Sequence, residues 1–439
     1  MESIQYSYLS VILKYYLIWG NSLKIVLVNK FHYLKGGSET YYFALGEMLN
    51  DIGHDVIYFS MFDERNLPCK QEKYFVGNID YNSKMNLIQI IKASAKLLYS
   101  FEAKSKFNRL IEDERPDIIH LNIFQSQLTS SIIDVAVKHN IPLVYTAHDL
   151  KAVCPTYLMM NHGAICDACI NGNYWNCIKT SCMKDSKAKS VLAAIESEIY
   201  RINKVYNKID LIICPSRHHQ IKLRQGNITS SPIVYLPNFL PCGTEFSKGV
   251  DKGNYFLFFG RLSIEKGIMT LVKAFEISDV YMSLYIVGTG PQEEEIKEYI
   301  HQHKLENKIF LKGFKSGDEL QEIIKNSHCV CLPSECCENA PYSIMEAQAC
   351  GRPAIVSDNG GLPELIEDEV NGFIFKAGDI KSLSEKIKQA ETTVFNSEHI
   401  VEQAREYYSS NNYLKRLLRL YYKVIRKKRN YIVTAKRSL

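Results

Sequence analysis

Short, wholly apolar runs alternate with amphipathic stretches along most of the chain. The runs are KIVLVN (24–29), HDVIYFS (54–60), PDIIHLN (116–122), PLVYTAH (142–148), LIICPS (211–216), IVYLPN (233–238), YFLFFG (255–260), SLYIVG (283–288), IFLKG (309–313), CVCLPS (329–334) and PAIVSD (353–358). They are rich in Val and Ile and lack polar alternation, the pattern of strands covered on both faces. Many end in Gly, Pro, Ser, Asn, Asp or His, residue types suited to the place where a loop leaves a sheet. Strands alternating with helices predict an α/β fold with parallel sheets and right-handed crossovers. A single sheet of that many strands is improbable. The polar, Gly-containing stretch Leu240–Asn254 is the natural break.

The expected organisation is an N-terminal extension (1–23), a first Rossmann-like domain (24–240), a linker (241–254), a second Rossmann-like domain (255–410) and a C-terminal helix with a basic tail (411–439). A length of 439 residues supports two domains, since single cores stop growing at roughly 250–300 residues. Near 411–425, Tyr413, Leu417, Tyr421, Val424 and Ile425 form an apolar stripe that needs something to bury against.

Charge changes this picture at the C-terminus. The net charge is +5, yet the segment from Arg416 onward carries nine Lys/Arg and no Asp/Glu. The remainder is mildly acidic, which excludes a basic nucleic-acid footprint. A basic end suits an anionic lipid surface or a phosphorylated substrate. The apolar segment 6–19 is interrupted by Lys14 and shorter than the roughly 20 residues of a spanning helix. It reads as an upstream extension, or alternatively as a segment that inserts or lies in a membrane. No cleavable signal peptide is seen, and the thirteen cysteines then argue for a reducing, cytoplasmic setting or a metal.

The candidate chemistry is concentrated in a few segments. In FGRLSIEKG (259–267) a strand ends at Gly260 and two cations, Arg261 and Lys266, follow within five residues. Ligands of α/β folds bind at such carboxyl ends. Arg offers a fork and Lys a point charge for phosphate oxygens. In PSECCENAPYSIMEAQACGRPAIVSD (333–358) a helix is expected from Pro341, with Glu338 in the loop before it and Glu346 in its second turn. Carboxylates there can accept hydrogen bonds from the vicinal diols of a ribose or hexose, and the helix N-terminus favours negative charge. Two acids beside two bases therefore suit a nucleoside-diphosphate sugar. A simple preference for acids at helix starts would also account for them.

These segments resemble the large retaining glycosyltransferase family 4, in which Glu338 and Glu346 match the E-x7-E element. VGTGP (287–291), LKGF (311–314), NGGLPELI (359–366) and NGFIF (371–375) match in order and spacing, over roughly residues 23–425. The resemblance implies two Rossmann-like domains facing across a cleft, the GT-B fold. It implies that Arg261 and Lys266 hold the donor diphosphate, Glu346 the ribose and Glu338 the donor sugar. Asn339 and Ala340 would join the donor site, with amides near Phe314 at the base and those of Asn359, Gly360 and Gly361 beside sugar and phosphate. KGGSET (35–40) resembles the family's first loop, a Gly36–Gly37 turn into a helix with Ser38 as its N-cap, placed over donor phosphate and acceptor. TAHDL (146–150) resembles the HD element and makes His148 and Asp149 acceptor-site residues. His120, at another strand end, is a further acceptor-site candidate. Either histidine could instead cap a strand or bond to backbone.

Cys166, Cys169, Cys177 and Cys182 read C-x2-C-x7-C-x4-C in a Gly- and Asn-rich insertion (154–182). Four thiols in a polar loop suit a structural Zn2+, with Cys154 as a spare ligand; free thiols or two disulfides are the alternatives. The segment resembles an insertion found after the HD element in a subset of family 4, beside the acceptor opening. No role is assigned to Cys336 and Cys337.

The resemblance implies hexose transfer from a nucleotide-sugar, with a UDP-hexose favoured, to a hydroxyl of a glycan or lipid-linked oligosaccharide in surface-polysaccharide synthesis. It implies retained anomeric configuration, no catalytic divalent metal, and positioning of charge rather than covalent catalysis. A nucleotide-sugar epimerase, a glycosyl phosphorylase and a catalytically silent nucleotide-sugar-binding protein are the rival readings on this architecture.

Overall fold

A computed structural model describes residues 22–78, 87–249 and 253–437. The apolar segment 6–19 and part of the expected linker lie outside the described residues. Each of the eleven apolar runs contains a strand. They build two six-stranded sheets, both parallel in every pairing. The first has the order β2-β1-β3-β4-β7-β8, made of Asp55–Phe59, Lys24–Val28, Ile118–Leu121, Leu143–Thr146, Leu211–Cys214 and Ile233–Tyr235. The second has the order β11-β10-β9-β12-β13-β14, made of Ile309–Gly313, Ser283–Val287, Tyr255–Phe259, Cys329–Leu332, Ala354–Ser357 and Gly372–Phe375. The twelfth strand, β14, falls within the NGFIF motif. A small antiparallel hairpin, β5 (Met160–Asn161) and β6 (Ala164–Ile165), stands in the cysteine-rich insertion.

Strand order decides where ligands can sit. In the second sheet the chain works outward from β9 on one side and then resumes with β12 on the other. Neighbouring strands β9 and β12 therefore send their following loops in opposite directions and leave a crevice between them. Those two loops carry Arg261 and Lys266 after β9, and Glu338 after β12. In the first sheet the corresponding switch lies between β1 and β3, and the loop after β1 leads through Lys30 to Gly36.

The last helix ties the two domains together. It runs from Ser410 to Arg437 without a break, so the expected basic tail beyond 425 is helical through Arg437. Its Tyr413, Leu417, Leu418 and Tyr421 are buried against β1 and the helix Gly37–Asp51 of the first domain, in one core with Met345 and Ala349 of the second. Each such side chain removed from water stabilises the arrangement by roughly 1.5–3 kcal/mol. Lys428 pairs with Asp210 at 3.1 Å and Arg429 with Asp117 at 3.2 Å, so two of its cations serve this docking. Lys415, Arg416, Arg419, Lys423, Arg426 and Lys427 remain exposed. Among the described residues no helix is long and apolar enough to cross a membrane.

Candidate active site

A cavity of about 1920 Å³ lies between the domains. The first domain lines it with Lys30, Lys35, Gly36, Gly37, His148 and Asp149, and the second with Arg261, Lys266, Phe314, Glu338, Asn339, Ala340 and Glu346. Eleven of the sequence-derived candidates thus face one space although they come from both halves of the chain.

The cation and acid expected to act on different parts of a donor are paired with each other. Lys266 Nζ lies 2.5 Å from Glu338 Oε1, and Ser334 Oγ donates to the same oxygen at 2.8 Å. Burial alone would lower the pKa of Lys266, but the Glu338 carboxylate more than offsets this and holds it above the ordinary value. Arg261 is exposed at the cavity edge. Glu346 sits in the helix Tyr342–Ala349, and burial pushes its carboxyl up to about 7. Phe314 stands at the rim, 71% exposed, available as a flat surface.

On the opposite wall His148 Nε2 lies 2.9 Å from Asn122 Oδ1, and its ring packs edge-on to Tyr41. Burial lowers its pKa to about 3, so the imidazole is neutral. With Nε2–H donated to Asn122, Nδ1 is the nitrogen left with an open lone pair. Burial raises the Asp149 pKa, and the Lys151 amide, 3.0 Å from its Oδ1, opposes that rise. The Gly36–Gly37 turn approaches the second domain closely: a Cβ at Gly37 would meet the Tyr342 ring at 3.2 Å. Gly36 is the N-cap here, and Ser38 stands in the first turn, donating to Glu39 at 3.0 Å. Ser38 is therefore not the N-cap expected from the sequence.

Two further expectations are corrected. His120 does not face the cavity. It is fully buried, with Nδ1 2.5 Å from Tyr421 Oη and Nε2 2.7 Å from Thr146 Oγ1. Tyr41 completes the network by bonding both Thr146 and Tyr413. A polar strand-end residue was legible in sequence, but the helix that covers it comes from 301 positions away. Gly360 and Gly361 do not line the cavity either. The Gly361 amide donates to Glu338 O at 2.7 Å, and Gly360, at φ 64°, packs so closely that a Cβ would lie 2.2 Å from that oxygen. These glycines support the Glu338 loop from behind.

Several contacts bridge the domains around the cavity. Asn339 Nδ2 donates to Ala147 O at 3.0 Å and His148 O at 3.2 Å. Asn238 Nδ2 donates to Ala340 O at 3.2 Å. Glu364 accepts from the Arg217 and His218 amides at 2.8 and 2.7 Å, capping the first-domain helix Arg217–Gln225 from the second domain.

In the insertion, Cys169 and Cys177 share a small core with Cys182 packed against it, and the Cys177 and Cys182 Sγ atoms are 3.1 Å apart. Cys166 is half-buried in the same loop. The donors are of the kind zinc prefers. Among the described residues, however, no three His, Cys, Asp or Glu side chains are gathered around a common point as a metal would require. The insertion does flank the cavity, since Tyr157 and Leu158 line it and Leu158 O accepts from the Cys337 amide at 3.3 Å. Cys336 and Cys337 line it as well. Sequence reasoning gave no role to Lys30 or Arg65. The only signal for Lys30 was its place just after a strand.

Two parallel-sheet domains facing across a cleft, with cations and carboxylates at the switch point of the second, define the GT-B class of glycosyltransferases. The comparisons agree: residues 35–242 match the model described as Glycosyltransferase Family 4, and residues 244–407 match Glycosyl transferases group 1. The chain belongs to the GT-B glycosyltransferases.

Among relatives, it is 32% identical over 132 residues to the amylovoran biosynthesis glycosyltransferase AmsK of Erwinia amylovora, covering 28% of this chain and 32% of AmsK. The chain spans less than half the length of this and four other relatives of 28–32% identity. Its fold matches sucrose-phosphate synthase from Thermosynechococcus elongatus with a TM-score of 0.65 at 17% identity, covering 92% of this chain and all of that one. It also matches Anabaena HepE in complex with UDP-glucose, with a TM-score of 0.57 at 16% identity, covering 94% of this chain and all of that one.

Proposed function

We propose that the protein transfers a hexose, with retention of anomeric configuration, from a nucleoside-diphosphate sugar to a hydroxyl of a glycan or lipid-linked oligosaccharide during surface-polysaccharide synthesis. The observation that carries this reading is the convergence of Arg261, Lys266, Glu338 and Glu346 on one face of the cleft, opposite His148 and the Gly36–Gly37 turn. The UDP-glucose complex of HepE and the polysaccharide role in the name of AmsK support it.

In this reading the donor lies mainly on the second domain. Its diphosphate takes up Lys266, exchanging part of the Glu338 pairing for phosphate, while Arg261 closes from the rim. Glu338, freed toward the cavity, accepts from sugar hydroxyls, and Glu346 accepts from the ribose diol. The acceptor hydroxyl approaches from the His148 side, and the leaving phosphate takes its proton on the same face. The chain's contribution is preorganised charge and position. For the insertion the proposal is a structural Zn2+ on Cys166, Cys169, Cys177 and Cys182, with no part in the chemical step. For the exposed basic face of the last helix it is peripheral contact with an anionic membrane.

A panel of nucleotide-sugars tested for thermal stabilisation and consumption decides the reading. A ligand at 100 times its Kd that binds only the folded state adds about 2.7 kcal/mol of stability. A UDP-hexose should raise Tm and be turned over, with product NMR showing retention. Stabilisation by no nucleotide-sugar would reject the donor, and an inverted product would reject retention.

A further inference from the structure

The cations of the cleft are not equal. Lys266 is answered by Glu338, Arg65 by a two-pronged pairing with Asp63 at 2.8 and 2.9 Å, and Lys315 by Glu319 at 2.5 Å. Lys30 and Lys35 have no such answer; among the lining cations the same holds for Arg261, already assigned to the donor, and for Lys184. Among the described residues neither the Lys30 nor the Lys35 ammonium donates a hydrogen bond or joins an ion pair, and both line the cavity. They are also drawn together, with Lys35 Nζ 3.7 Å and Lys30 Nζ 5.1 Å from the centre of the same Phe31 ring. Two ammonium groups on one aromatic ring repel each other, and the ring quadrupole offsets only part of that repulsion. The position is fixed by the fold: Lys30 stands two residues after β1, and Lys35 precedes the Gly36–Gly37 turn.

We propose that Lys30 and Lys35 form an anion-binding subsite for the acceptor, which therefore carries a carboxylate or phosphate group near the hydroxyl that receives the sugar. The inference rests on the glycosyltransferase reading above and adds the acceptor's chemical class. The donor diphosphate has its own cations, Arg261 and Lys266, on the other domain. Lys30 lies on the acceptor side, where Asp149 of the HD element contributes to its electrostatic surroundings. An anion seated over Phe31 would relieve the repulsion and complete both ammonium groups. The titration behaviour is consistent: burial, and then Lys35, lower the Lys30 pKa to about 8, and burial lowers that of Lys35. A bound anion would reverse that shift.

The test is calorimetric binding of three probes to the full chain with UDP held at saturation: methyl β-D-glucuronide, D-glucose 6-phosphate and the neutral methyl β-D-glucoside. UDP occupies the donor phosphate site, so a charged probe is read at the second subsite alone. At least one charged probe should bind about tenfold more tightly than the neutral one, the least expected of hydrogen bonds to charged groups. Which charged probe wins separates carboxylate from phosphate. Lys30→Met and Lys35→Met should each erase the advantage and Lys30→Arg should keep it, with circular dichroism and Tm unchanged in all three as the check on folding and UDP re-titrated to saturation for each variant. Charged probes no better than the neutral one, including no binding by any, overturn the subsite, as does an advantage that survives the double Met variant. Failure of UDP itself to bind would instead strike the donor reading, and the probe comparison would then be read without it.

Discussion

Lys266 and Glu338, 72 positions apart in the chain, meet at 2.5 Å across the crevice between β9 and β12. Each therefore already has a partner, and in the proposed reading a donor diphosphate exchanges that pairing. Removing the cation should cost more than the Coulomb attraction it supplies, because Glu338 would be left half-buried with only the Ser334 hydroxyl to answer its charge. Lys266→Ala and Arg261→Ala are expected to lower kcat/KM by about 10²–10³, equivalent to roughly 2.7–4 kcal/mol of lost transition-state stabilisation, with folding retained. Steady-state kinetics with circular dichroism checks this, and near-normal kcat/KM in both variants would remove them from the donor site.

Glu346 predicts a pH dependence. An ionised carboxylate accepts from both hydroxyls of a diol, whereas its protonated form must donate once. With its pKa raised by burial to about 7, nucleotide affinity should rise between pH 6 and 8, and Glu346→Gln should flatten the profile. The stability sign is opposite. A carboxyl whose folded pKa lies above its unfolded value costs stability as pH climbs from the unfolded value toward 7, and the cost is constant above. Glu346→Gln should therefore gain Tm relative to the parent at pH 8 and not at pH 4. Titration calorimetry and melting curves across this range test both statements.

His120 should behave as a structural residue. Tyr421→Phe removes the partner of its Nδ1 inside the core and is expected to cost about 1–3 kcal/mol of stability while leaving donor affinity unchanged. Denaturant unfolding and nucleotide binding read the two effects separately. A large loss of acceptor turnover with intact stability would return His120 to the acceptor site.

The basic face of the last helix should make association with anionic vesicles sensitive to salt. Each cation near such a surface contributes about 1 kcal/mol. Replacing Lys415, Arg419, Lys423, Arg426 and Lys427 by Gln spares Lys428 and Arg429, which hold Asp210 and Asp117. Sedimentation with anionic vesicles at low salt should be strong for the parent and weak for the variant. Equal partitioning onto neutral and anionic vesicles would leave this face as a solvated surface.

The insertion should carry about one Zn2+ per chain. The hydrogen bond shared by the Cys177 and Cys182 thiols holds Cys182 below the usual thiol range. Metal analysis of chelator-free protein, with thiol titration before and after metal removal, is the measurement. Four freely titrating thiols and no metal would retire the site.

The sequence by itself determined the strands, the two-domain plan and most of the second-domain residues that line the cleft. Strands buried on both faces must be apolar throughout, and the loops that leave them must carry the polar chemistry, so both are written locally in runs such as YFLFFG followed by Arg261 and Lys266. Tertiary structure decided what these residues do to one another. Strand order alone puts the loop after β9 beside the loop after β12 and so pairs Lys266 with Glu338. The return of the last helix over the first domain turns His120 from a strand-end candidate into a buried partner of Tyr421. The glycines at 360 and 361 are spent on close packing behind the Glu338 loop, a use that depends on a neighbour 22 or more positions away. Lys30 and Lys35 acquire meaning only when the fold sets both beside Phe31 and leaves neither in an ion pair. Hydrophobic period is a local property, whereas charge pairing and burial depend on which distant segment covers a residue.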